Sequence, residues 1–319
     1  MWFSRAWASA GVTALVSVSS GCGNSTRSGV GGTSGSGGDG GVMGAGGSTG
    51  AGGGTADASR DAATGCGIAG AVTGVLLSQS ITVGNLARTY VLSVPKNYNP
   101  DTPLALIFGW HCSGETGAAA RQEFSIEPAA AGQAIFVYPD GLGAAGATGW
   151  DWTATGRDVE FFDALVNHLA GTYCIDRNRI FSTGWSDGGI FTNALGCFRG
   201  NVLRAIAPIA GWPPSTSNCV GNVGAWIAHA SNDPIVDFTS GGIATRDFWI
   251  ARNGCSTTTV PVAGGPAVCV EYEDCEPDLP VVWCVHTGGH IWPNEAECPD
   301  SGTCFDAGPA VWRFFARFH

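Results

Sequence analysis

The 319-residue chain is poor in charge. Only 13% of its residues are Asp, Glu, Lys or Arg, and no long block carries one sign. Basic residues are the minority, 15 against 26 acidic, for a formal net charge of −11. Arg5, Arg27 and Arg60 cancel Asp39, Asp57 and Asp61, so the whole acidic excess lies in residues 66 to 319. An acidic body repels phosphate backbones, which argues against nucleic acid as a partner. No pair among the twelve cysteines has the Cys-x-x-Cys spacing that structural zinc favours. Disulfides in an exported protein are therefore expected, and no metal.

A membrane-spanning run is missing from the N-terminus too. The apolar segment from Ala6 to Val18 is too short to cross a bilayer. With Arg5 before it and Ser19, Ser20, Gly21 and Cys22 after it, residues 1–22 read as a secretory signal. The ending resembles a bacterial lipobox, with Ser19 where leucine is usual, so Cys22 is a candidate for lipid attachment. That lipid is the one membrane contact expected. If Cys22 is lipidated, eleven cysteines remain and one thiol is unpaired; Cys112 is the candidate, a small packing thiol with no neighbouring cation to activate it. Cys269 and Cys275 lie six apart, as do Cys298 and Cys304, but spacing does not set connectivity.

Between Gly31 and Gly65 large apolar residues are nearly absent, Val42 and Met43 being the exceptions. Residues 23–65 cannot bury enough surface to offset chain entropy, and read as a disordered Gly/Ser-rich linker. Residues 66–319 have the length and the 44% hydrophobic content of one folded domain.

Within that body, strands are predicted at Ser80–Val83, Arg88–Val94, Leu104–Trp110, Ala134–Tyr138, Arg179–Thr183, Ala205–Ala210, Ala225–His229 and Val281–Val285. Helical spacing covers Gly117–Gly132, Asp158–Tyr173, Gly189–Phe198, Thr245–Arg252 and Pro309–Phe318. Strands alternating with helices imply an α/β fold with a mostly parallel sheet covered on both faces, its chemistry at the carboxyl ends of the strands.

At one such end stands Gly184-Trp185-Ser186-Asp187-Gly188. Chance alone can produce Gly-x-Ser-x-Gly in a chain with 50 glycines. A strand before it and a helix after it are the context of a nucleophile elbow, in which a strained turn presents the serine. In this fold an acid and then a histidine follow in chain order. Asp233, in the Asn-Asp-Pro turn after Ala225–His229, is the acid preferred over Asp237 in the same loop and Asp247 in a helix. His290, on a glycine-bearing loop past a strand end, is the general base. His286 and His111 read as structural. Oxyanion donors are expected from the N–H of Asp187 and from Cys112 or Ser113, in the loop after the first buried strand. Trp185, Trp292, Trp150 and Trp152 are candidates for stacking on a substrate ring, against the plainer reading that they are core.

Taken together, Tyr90-Val-Leu-Ser-Val-Pro-Lys-Asn-Tyr98, Leu106-Ile-Phe-Gly-Trp-His111, Val137-Tyr-Pro-Asp-Gly-Leu142, Asp158-Val-Glu-Phe-Phe-Asp-Ala-Leu165, Phe181-Ser-Thr-Gly-Trp-Ser-Asp-Gly-Gly189 and Val285-His-Thr-Gly-Gly-His290 resemble the secreted feruloyl esterases of carbohydrate esterase family 1. The polyhydroxybutyrate-depolymerase and acetylxylan-esterase relatives share these segments. The resemblance implies an α/β-hydrolase fold, a serine esterase without cofactor or metal, and Ser186, Asp233 and His290 as its triad. Substrates are then plant cell-wall polysaccharide esters or a polyester, and the enzyme an extracellular or surface-anchored monomer. Cys66, Cys174, Cys197, Cys219, Cys255 and Cys275 look like cysteines of the fungal branch. A catalytically dead, carbohydrate-binding surface protein is the alternative outside enzymes.

Overall fold

Runs of β-branched and aromatic residues bounded by Gly, Pro and Asn become the strands of one ten-stranded sheet. In the computed structural model of the protein the described residues are 65–142, 148–216, 218–296 and 303–319. The signal segment, Cys22, the linker as far as residue 64, and Cys298 lie outside them. Strands β1 (Gly74–Val83) and β2 (Leu86–Val94) form a hairpin at one edge. Six strands at the centre run parallel: β3 (Leu104–Trp110), β4 (Ala134–Pro139), β5 (Ile175–Trp185), β6 (Ala205–Ile209), β7 (Gly224–Ala230) and, across from β7, β10 (Val281–His286). The short strands β8 (Thr259–Pro261) and β9 (Cys269–Tyr272) close the far edge antiparallel. The spatial order is β1-β2-β4-β3-β5-β6-β7-β10-β9-β8.

Both faces of the sheet are covered, which is why its central strands are apolar throughout rather than alternating. Neighbouring residues of β3 face different cores: Ile107 one, Leu106 and Phe108 the other. The first core is capped by α1 (Gly117–Phe124), α2 (Glu127–Ala130) and α6 (Ala307–Phe315). The second takes α3 (Arg157–Thr172), α4 (Asp187–Phe198) and α5 (Ala244–Arg252). On α3 the buried stripe is Val159, Phe161, Phe162, Leu165, Val166 and Leu169, at helical spacing, with Asp158 and Glu160 complementing the dipole at its first turn. By contrast α4 is buried on all sides, as an apolar helix in the heart of a fold must be.

The expected single helix over Gly117–Gly132 is two. Pro128 at the start of α2 lacks an N–H, and its ring would strike the carbonyl four residues back, so α1 ends at Phe124 and Ser125 turns through φ 49°. The strands β8 and β9 go unpredicted, being short and, for β8, fully exposed.

Among the described residues, disulfides join Cys66 to Cys174, Cys197 to Cys219, Cys255 to Cys275 and Cys269 to Cys284. Cys112 and Cys304 are each disulfide-bonded as well. The expectation of a free Cys112 thiol is therefore overturned. Its sulfur is bound and buried, and it ties down the loop after β3 rather than merely filling space. The Cys66–Cys174 bridge closes a sequence separation of 108 residues, fastening the start of the described body to the entry of β5. Replacing both by alanine is expected to lower the unfolding free energy by about 3–5 kcal/mol, mainly by freeing the unfolded chain. Urea titration reads this as a lower midpoint with a steeper slope, because the uncrosslinked chain exposes more surface when it unfolds; an unmoved midpoint would show that the bridge constrains nothing.

At the outer edge, β1 carries a bulge. Its register against β2 slips between Leu76 and Gln79, and Ser78 sits at φ 58°.

Candidate active site

Strand β5 ends at Trp185 and helix α4 begins at Asp187, leaving Ser186 alone in the turn with φ 56° and ψ −118°. That backbone is costly for a residue with a side chain, and three glycines make it attainable. A Cβ on Gly184 would stand 2.3 Å from the carbonyl oxygen of Gly188, and one on Gly189 would stand 2.4 Å from that of Ile209. On Gly188 it would reach 2.0 Å from the carbonyl of Trp110 and 2.7 Å from that of His111. The first turn of α4 thus lies directly against the loop that leaves β3.

Ser186 Oγ is 2.8 Å from Nε2 of His290, and Nδ1 of His290 is 2.8 Å from Oδ2 of Asp233. The structure brings together three residues from the carboxyl ends of β5, β7 and β10. The side chain of Asp233 is buried, and its other oxygen accepts from the N–H groups of Ile235 (2.8 Å) and Val236 (2.9 Å). Burial pushes its pKa up, but the hydrogen bond and charge of His290 and the two backbone donors outweigh it, and the carboxyl is held below its ordinary value. The rivals lie elsewhere. Asp237 caps the wide turn Phe238–Ile243, and Asp247 pairs with its neighbour Arg246 on α5.

Asn232, unsuspected from sequence, clamps the histidine loop. Its amide donates to the Thr287 carbonyl at 2.7 Å and accepts from the N–H of Gly289 at 3.0 Å. Its place directly before the predicted acid was the available signal. His229 also supports the acid: its Nε2 is 2.8 Å from the Val236 carbonyl and 3.6 Å from Asp233. Gly241 and Gly242 leave room for that ring, since a Cβ on Gly242 would touch His229 at 2.7 Å.

The loop holding Cys112 and Ser113 is fixed from several sides. His111 donates from Nδ1 to the Cys112 carbonyl (2.7 Å) and accepts at Nε2 from the N–H of Gly141 (2.9 Å). Gly114 donates to the Thr148 carbonyl at 2.8 Å.

The aromatic candidates need correcting. Trp292 is 1% exposed and stacks on Phe124 at 3.9 Å between centroids; Trp150 is 8% exposed and stacks on Phe191 at 5.4 Å. Neither offers a face to a ligand. Trp185, 3% exposed, packs its ring 5.5 Å from that of His290 and supports the base instead. The sequence shows that these residues adjoin the site but not which way their rings turn. No group of His, Cys, Asp and Glu suited to a metal occurs among the described residues.

A parallel sheet with a serine elbow at its centre is the framework of the α/β hydrolases, and comparison with solved structures agrees. Acetyl xylan esterase from Aspergillus awamori superposes with a TM-score of 0.57 at 15% identity, covering 74% of this chain and 98% of that one. No family model matches the chain. Among curated proteins, feruloyl esterase D of Neurospora crassa is 34% identical over 261 residues, 76% of this chain and 86% of the relative. Feruloyl esterase C of Emericella nidulans is 32% identical over 242 residues, 72% and 83% of the two chains. The protein is a serine esterase of the α/β-hydrolase fold. It belongs to the feruloyl esterase family.

Proposed function

We propose that the protein hydrolyses hydroxycinnamoyl esters of plant cell-wall polysaccharide by two-step acyl transfer through Ser186. The observation that carries this is the unbroken hydrogen-bonded chain from Ser186 through His290 to Asp233. His290 takes the proton of Ser186 at Nε2 as Oγ attacks the ester carbonyl. Asp233 holds Nδ1–H, fixing the tautomer and stabilising the imidazolium that forms. The N–H of Asp187 and one from Cys112 or Ser113 receive the oxyanion, a role supported by the contact of Gly188 with the backbone of Trp110 and His111. The proton passes from His290 to the departing sugar alcohol. Water, deprotonated by the same ring, then releases the acid and restores Ser186.

The feruloyl acyl group is supported by the two relatives, feruloyl esterases D and C. Residues 66–319 act as one catalytic domain and work as a monomer. Export is supported by the disulfides, which suit an oxidising compartment. The linker 23–65 holds the domain away from a membrane when Cys22 carries lipid.

A fluorophosphonate probe is expected to label Ser186 stoichiometrically; failure to label would favour a glycan-holding scaffold. With methyl ferulate and a methyl 3-hydroxybutyrate ester side by side, kcat/KM should favour the ferulate by at least about tenfold, a modest pocket discrimination. The reverse order would point to a depolymerase.

A further inference from the structure

The Trp150–Thr153 loop follows parallel strand β4, at the end of the sheet that carries Ser186, and is pinned on all sides. Trp150 donates its backbone N–H to Oδ2 of Asp187 at 3.1 Å and its indole N–H to the His111 carbonyl at 2.9 Å. Asp151 donates its N–H to Oδ2 of Asp158 at 2.7 Å, and Asp158 is itself buried in an ion pair with Arg88 at 2.5 Å. Gly149 is pressed against the same Asp187 carboxylate, where a Cβ would come within 2.8 Å of Oδ2. From this rigid loop one large ring projects. Trp152 is 40% exposed, and its indole N–H donates to Oδ1 of Asp187 at 2.8 Å.

Two details point to use rather than to packing. An exposed indole whose polar end is satisfied presents an apolar face to solvent, a shape that suits a planar ligand and gains little for the fold. The carboxylate that holds it belongs to the residue after the nucleophile, so the ring is one hydrogen bond from the elbow. A mobile surface tryptophan would need no such strut, whereas a binding platform benefits from being locked in place beforehand.

We infer that Trp152 is the platform for the aromatic ring of the acyl group, and that Asp187 is the residue that positions it. This rests on the hydroxycinnamoyl reading above and adds which side chain enforces it. The acyl group is the part bonded to Ser186 in the covalent intermediate, so its ring, rather than the sugar that departs, stays at the elbow whose next residue, Asp187, holds Trp152. Asp187 then serves twice, its N–H toward the oxyanion and its carboxylate toward the platform.

The test is the ratio of kcat/KM for methyl ferulate to that for methyl butanoate. In Trp152→Ala it is expected to fall about tenfold or more, the loss lying mainly in KM for the ferulate, and Trp152→Phe, which keeps a ring but loses the bond to Asp187, should recover it only in part. Asp187→Ala should lower the same ratio in the wild-type background and hardly at all once Trp152 is alanine, because its effect passes through the ring. Additive losses would overturn the positioning role. A ratio that survives Trp152→Ala would overturn the platform. So would a loss confined to acetylated xylo-oligosaccharide, which would put the sugar there instead. If the unmodified enzyme shows no preference for ferulate, the hydroxycinnamoyl reading fails first, visibly and before any variant is made.

Discussion

Ser186→Ala is expected to reduce kcat/KM for methyl ferulate by about 10⁴- to 10⁶-fold, the range seen when a triad serine is removed. The residual rate comes from the oxyanion donors and binding alone. Circular dichroism should be unchanged, because alanine fits wherever serine does. A second variant makes the prediction sharper. Ser186 holds φ 56°, a conformation that costs an L-residue on the order of 1–3 kcal/mol and glycine little. Ser186→Gly should therefore be as inactive as the alanine variant yet melt at a higher temperature, because the relieved strain exceeds the roughly 0.4–1 kcal/mol that glycine's freedom in the unfolded chain costs. Near-normal turnover in either variant would end the nucleophile assignment. Unchanged activity with a raised melting point would show that the strained turn is unconnected with the chemistry.

The second large effect is acid lability. Burial pulls His111 and His286 down to about 4, from an ordinary 6.5. The geometry explains why neither ring welcomes a second proton. On His111 the free lone pair accepts from Gly141 N–H at 2.9 Å, and on His286 it accepts from Gly288 N–H at 3.2 Å, so protonation would set two donors against each other. Between these values the unfolded chain binds more protons than the folded one, and stability must fall as pH falls. From pH 7 to pH 4.5 each ring contributes a loss of about 2–3 kcal/mol at 1.36 kcal/mol per pH unit. His229, also pulled down by burial, adds in the same direction. Asp187 opposes them. Burial raises it to about 6, so its protonation returns about 2 kcal/mol over the same interval. A net loss of roughly 3 kcal/mol should appear in urea unfolding at the two pH values. Asp187→Asn should steepen the loss, since its compensation is gone. A stability that is level across this range would contradict both histidine assignments.

How much of this was legible in the amino-acid sequence depended on whether a feature was local. Strand β3 was foreseen end to end and β6, β7 and β10 to within a residue, because each is an apolar run bounded by turn-formers. The elbow was legible because Gly184 and Gly188 collide within its own turn, although Gly188 and Gly189 also press on backbone far along the chain, at Trp110 and Ile209. Asp233 and His290 followed from strand ends and chain order. Ring direction was not legible: Trp150 and Trp152 are two apart in one loop, and only tertiary contacts with Phe191 and Asp187 turn one inward and leave the other out. The state of Cys112 and the Cys269–Cys284 bridge, which joins facing residues of β9 and β10, likewise depend on tertiary pairing rather than on spacing. Pro128 was legible in principle and is what divides the helix after β3.

The kink in β1 bears on how these molecules keep company. An outermost ribbon offers a row of unpaired amides that a neighbour could adopt, and Val75 and Leu77 make this one greasy as well as open. The slip between Leu76 and Gln79 breaks the straight seam that a second copy would need in order to zip alongside. That break is expected to keep crowded molecules from growing rim to rim into fibres.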